Sequence, residues 1–136
     1  MNVCFSQNEL PSLESKNVLV VYGGWEGHQP EIFAKKITSW LEEQQAVVRL
    51  EKGTAIYTNT SVMQKLDLVI QHITMSEMTM KESQGLIKAV ASGVGLAGCH
   101  GGLGDSFRDD TEYQYMVGGQ FENLFPILKS SSFLKI

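Results

Sequence analysis

The sequence predicts an α/β protein with a flavodoxin-like, doubly wound parallel sheet. Three observations carry that prediction. Two short, continuous, β-branched runs, NVLVVYGG at 17–24 and LDLVIQHI at 66–73, read as strands buried on both faces. Segments with helical spacing separate the strand-like runs, so β and α alternate along the chain. The connections are short, which suits right-handed crossovers within one sheet of strand order 2-1-3-4.

Each element has its own signal. Residues 1–16, MNVCFSQNELPSLESK, are polar and aperiodic and read as a loose leader. The first strand stops at Gly23 and Gly24, and after the loop WEGHQ a proline, Pro30, suits the first turn of a helix. Phe33, Ile37, Trp40 and Leu41 then recur at helical spacing, carrying that helix to about Gln44. AVVRLE at 46–51 is the second strand, and the connection at 53–65 ends in a helical turn expected around Val62–Leu66. After the third strand, Thr79 and Glu82 form a capping-box pattern, Leu86, Ile87 and Val90 give an apolar stripe, and Gly93 supplies a left-handed stop. GVGLAGC at 93–99 is the fourth strand, and DTEYQYMV at 110–117 a further short helix. Strands are thus expected near 17–22, 46–51, 67–72 and 94–98, and the main helices near 30–44 and 79–91.

Composition narrows the function classes. A chain of 136 residues, 43% hydrophobic and 19% charged, is expected to be one domain. Eleven basic against fifteen acidic residues give a net charge of −4 with no Lys/Arg cluster, so neither nucleic acid nor an anionic membrane is an expected partner. No apolar run approaches the roughly 20 residues of a spanning helix. The first residues lack a basic segment followed by an apolar block, so a cytoplasmic setting is expected. Cys4 and Cys99 are too few for a disulfide framework.

In doubly wound sheets ligands bind beyond the carboxyl ends of the strands, here the loops at 23–29, 72–79 and 98–109. Gly23 and Gly24 can present backbone N–H groups to an oxyanion or sugar oxygen, or can simply make a tight turn. Trp25 can stack on a sugar ring or cover the core. His28, His72 and His100, the only histidines, follow strands one, three and four and can face one crevice. With Glu26, Cys99 and Asp105 nearby, a divalent metal is an alternative. No two histidines have a specific ligand spacing, so no metal or other cofactor is assigned.

The stretch GLAGCHGGLGDSFRDD at 95–110 reads as a strand, a sharp turn and a helix start, a pattern that needs small residues around its tip. With Cys99 at the tip the flanks are Ala97 and Gly101, and a thiol there is a nucleophile. With His100 at the tip they are Gly98 and Gly102, and an imidazole there is a base or a hydrogen-bonding group. Cys99 can also be a small buried apolar residue. Asp105 and Arg108 can pair locally or reach polar ligand groups.

The blocks VYGGWEGHQP, ITMSEMT and GVGLAGCHGGLGDSFRDDTEYQYMVGGQF together resemble the trehalose-utilisation (ThuA-like) family of the class I glutamine amidotransferase-like superfamily, over roughly residues 17–121. The resemblance implies a link to catabolism of trehalose or related disaccharides, with a small carbohydrate as partner. The family's recurrent positions look like Gly23, Gly24 and His28, then Thr74 and Met75, then His100, Gly101, Gly102, Asp105, Phe107 and Arg108, and finally Gly118, Gly119 and Phe121. A cysteine before the histidine is not general in the family, which favours the His100 frame. On this reading His100, His28 and Asp105 are catalytic, and Gly23, Gly24, Trp25, Gly101, Gly102 and Arg108 contact substrate. Cys99 is then expected to point into a helix–sheet interface, screened from solvent.

Similar proteins continue past GGQF with a His-Pro segment, where this chain reads ENLFPILKSSSFLKI. Residues 17–121 are therefore expected to be an incomplete domain, truncated at its carboxyl-terminal edge, and 122–136 a divergent tail. Two further readings stay open. One is an inactive ligand-binding or interaction module. The other is a thiol hydrolase or glutaminase using Cys99, although no histidine follows His100 to serve a glutaminase as its downstream base. Assembly as a homo-oligomer is also open.

Overall fold

The computed structural model describes residues 11–120. Their strands are β1 (Asn17–Gly24), β2 (Val47–Lys52), β3 (Leu68–Thr74) and β4 (Gly95–Gly98). All pair in parallel, in the order β2-β1-β3-β4, as expected. The helices are α1 (Pro30–Glu43), α2 (Thr60–Met63), α3 (Met80–Ala91), α4 (Gly101–Gly104) and α5 (Thr111–Val117).

Strand alternation divides the core in two. Val18 and Val20 of β1 and Ile70 of β3 pack with Ala34 and Leu41 of α1 on one face. Leu19, Val21, Val69 and Ile73 point the other way, onto Leu86 and Ala89 of α3 and Tyr113 of α5. Both faces of β1 and β3 are thus buried, which is why these strands read as unbroken apolar runs. The capping box at the start of α3 is present: the Thr79 hydroxyl accepts from the Glu82 N–H, and the Glu82 carboxylate accepts from the Thr79 N–H at 2.7 Å. Gly93 follows α3 at φ 108, the left-handed stop its position calls for.

Four local expectations change. Gly23 and Gly24 are the last residues of β1 rather than a loop. The buried line of α1 runs through Pro30, Ala34 and Leu41, and Trp40 falls beside it, 48% exposed. The helical turn before β3 comes early, as a 3-10 turn at Ala55–Thr58 followed by α2, with Tyr57 and Met63 buried. Residues 11–16 are docked rather than loose: Leu13 packs on the α1 face, the Ser15 N–H donates to Gln45 O at 2.9 Å, and Lys16 pairs with Asp67 at 3.0 Å. The rest of the leader and the tail at 122–136 lie outside the described residues.

Candidate functional site

The carboxyl ends of β1, β3 and β4 each lead into a segment that brings polar groups together at one end of the sheet. After β1, a 3-10 turn at Glu26–His28 carries His28. Its Nδ1 lies 2.9 Å from Oγ1 of Thr74, the last residue of β3, and the Trp25 ring sits edge-on at 4.8 Å. Trp25 is 51% exposed, so it stands at the surface beside His28 and does not cover the core.

β4 stops at Gly98, and two residues later the chain reverses at His100, with φ 50 and ψ −137. His100 is therefore the tip of the turn. Its exposed ring lies 5.3 Å from the His28 ring. Positive φ in a non-glycine residue is strained, and such strain gathers at functional sites. Gln29 (φ 50) and Met75 (φ 47) share it, so each of the three segments leaving this end of the sheet has one strained residue.

His72 belongs to the same group of rings, 6.2 Å from His28, but is only 6% exposed. Phe33 of α1 stacks on it at 4.2 Å. Its Nε2 is 3.4 Å from the backbone oxygen of His28, and its Nδ1 is 3.8 Å from Sγ of Cys99. Burial holds this imidazole below the usual histidine value of 6.5; the His28 carbonyl raises it somewhat, and the His28 and His100 rings lower it further.

The glycines are packing positions around these rings. A Cβ on Gly102 would lie 2.2 Å from His72 Nδ1, one on Gly101 2.9 Å from His28 Cε1, and one on Gly24 2.0 Å from Thr74 O. Gly101 and Gly102 are buried, whereas Gly24 is exposed at φ 76 and Gly23 lies buried inside β1.

Asp105 is 7% exposed, and Arg108 grips its carboxylate with two bonds, Nε at 2.6 Å and Nη2 at 2.9 Å. The pair is local, and the carboxylate is turned toward its own loop. The backbone beside it also ties loops together: the Met75 N–H donates to Asp105 O at 2.7 Å and the Ser76 N–H to Ser106 O at 2.8 Å.

Cys99 corrects the expectation most clearly. It is exposed, not sealed in a helix–sheet interface. β4 ends at Gly98, so Cys99 and His100 lie in the turn rather than on the strand, and Cys99 comes to the His72 ring while His100 comes to the His28 ring. Among the described residues no group of three or more His, Cys, Asp or Glu side chains is gathered closely enough to hold a metal ion.

Sequence reasoning missed the buried support beneath the turn. Gln71 of β3 is fully buried; its Oε1 accepts from Tyr57 OH at 2.9 Å, and its Nε2 donates to Tyr113 OH at 2.7 Å and Ser106 Oγ at 3.0 Å. Tyr113 OH donates in turn to Leu103 O at 2.8 Å, and Ser106 Oγ to Gly102 O at 3.0 Å. The available signal was an amide in the middle of an apolar strand, which must find partners when buried.

The sequence matches the ThuA trehalose-utilisation family over residues 17–132. The chain belongs to the ThuA family. The matched residues include the GGQF block and run beyond it. Among solved structures, a ThuA-like protein from Bacteroides uniformis superposes with a TM-score of 0.54 at 14% identity, covering 85% of this chain and 46% of that one. At that identity the likeness shows the ThuA-like fold, and this chain spans about half the length of that neighbour. No curated protein matches the chain. The turn carrying His100, the His28 segment and the Thr74–Met75 strand end all lie within the ThuA match.

Proposed function

We propose that this ThuA-family chain acts on a small carbohydrate, a sugar or keto-sugar, in the breakdown of trehalose or a related disaccharide, with His100 as the acid/base. One observation carries the reading: an exposed imidazole on a strained turn, 5.3 Å from a second imidazole, at the carboxyl end of a parallel sheet. His28, fixed by Thr74, would orient substrate or hold the second proton position. Trp25, exposed beside it, offers an aromatic face for a sugar ring. No helix among the described residues is long and apolar enough to cross a membrane.

The test is turnover of trehalose and of oxidised disaccharides by the chain and by His100→Gln. Loss of conversion with disaccharide binding retained, read by calorimetry, is expected; undiminished conversion in the variant would remove His100 from the reaction. A second reading has its own observation. The Asp105 carboxylate is engaged by Arg108, which suits a module that binds a sugar and does not convert it. Binding without conversion by the unmodified chain would establish that alternative.

A further inference from the structure

The acid/base reading leaves Cys99 unused. Its side chain is exposed, yet Sγ lies 3.8 Å from Nδ1 of the buried His72. The far side of the ring fixes the tautomer. Nε2 faces the backbone oxygen of His28 at 3.4 Å, and a carbonyl only accepts, so the ring proton sits on Nε2. That leaves the Nδ1 lone pair aimed at Cys99. The ring is 6% exposed and held in place by Phe33 stacked at 4.2 Å and by Gly102, which has no side chain to displace it. A buried, orientated acceptor pointing at the sulfur of an exposed cysteine is a thiol with a base.

We propose that Cys99 is a modification site, a thiol that peroxides oxidise to a sulfenic acid with His72 Nδ1 as the base. As the sulfur attacks one peroxide oxygen, the S–H proton passes to Nδ1; the S–O bond forms and the O–O bond breaks. The departing hydroxide takes that proton and leaves as water. Sulfur is oxidised by two electrons and the peroxide is reduced by two. Only a neutral imidazole can accept the proton, and burial keeps His72 in that form. The titratable groups facing it are His28 from the turn after β1 and His100 and Cys99 from the turn after β4, while α1 contributes the uncharged Phe33. The site does not depend on what His100 does to a sugar.

The experiment uses the full chain with Cys4→Ser, which leaves Cys99 as its single thiol. Hydrogen peroxide is added at pH 7, sulfenic acid is trapped with dimedone, and the adduct is followed by mass spectrometry. Cys99 should react about tenfold faster in the folded chain than in the urea-unfolded chain, and about tenfold slower in His72→Gln than in the parent. Equal rates in either comparison overturn the proposal. Where His72→Gln does not fold, the pH profile of the parent decides. A base-assisted rate levels off above about pH 6.5, whereas an unassisted thiol keeps accelerating toward about 8.5. A rate that climbs without a plateau to 8.5 overturns the assignment.

Discussion

At Gly102 a hydrogen is the whole side chain, and the space it leaves belongs to His72. Gly102→Ala would put a methyl 2.2 Å from Nδ1, forcing ring or turn to move, at an expected cost of about 1–3 kcal/mol in urea denaturation. Gly104→Ala, two residues on in the same helix and with open space around its Cβ, should change stability by less than about 0.5 kcal/mol. Equal costs at the two positions would mean the close approach does not matter. His72 itself makes stability depend on pH. Its folded value is lowered, so the unfolded chain binds the proton more readily; full stability is present above about 6.5 and is lost as pH falls toward the folded value. Unfolding free energy measured between pH 7.5 and 5 should decline, and the decline should be shallower in His72→Gln. Parallel curves would assign the acid sensitivity to other groups.

The elements meet through one amide. Gln71 links β3 to the 3-10 turn through Tyr57, to α5 through Tyr113, and to the loop after α4 through Ser106. Gln71→Leu keeps the volume, leaves the buried Tyr57 hydroxyl without its acceptor and takes a donor from Tyr113 and Ser106, so it should cost about 2–4 kcal/mol, against about 1 kcal/mol for Thr79→Ala at the exposed cap of α3. If the cap variant proves the more damaging, the network is not what holds the turn. The contrast also marks what could be read from the chain. The cap, the strands and the left-handed Gly93 are local, written in residues three or four apart. The partners of Gln71 lie 14, 35 and 42 positions away, so only folding shows them. The same reason hid the position of Cys99. Glycine spacing allows His100 at the tip, but which way Cys99 faces depends on the path of the turn after Gly98, where its sulfur meets His72, 27 positions away.

Across the whole molecule, the sheet is firm in the middle and lighter at its sides. β1 and β3 pair with each other over seven positions and are covered on both faces, whereas β2 keeps Val47 59% exposed and β4 is four residues long. Amide hydrogen exchange should therefore be slowest along Leu19–Val21 and Val69–Gln71 and faster in β2 and β4. Uniform protection across the four strands would contradict that gradient. The strand order was legible because short α/β connections leave few right-handed alternatives. The site was legible only as three histidines following three strands. The nearness of Asp105 and Arg108 in sequence favours the pairing that they make, whereas which histidine faces solvent is visible only in the packed loops.

The central place of β1 has a consequence for the order in which the chain can fold as it is made. β1 is made before either strand it pairs with: its neighbour on one side begins at Val47 and on the other at Leu68. A nascent chain exposed only through Lys52 has one parallel ladder with one face covered by α1, and the other face, with Leu19 and Val21, still lacks Tyr57 and Met63 and, later, Leu86 and Ala89 of α3. Early synthesis thus holds an apolar sheet face partly open for the length of roughly forty further residues, the stretch in which a chaperone for nascent chains would find it. Arrest-peptide force measurements on stalled chains should show no strong pulling before α3 has emerged, and a single rise once it has.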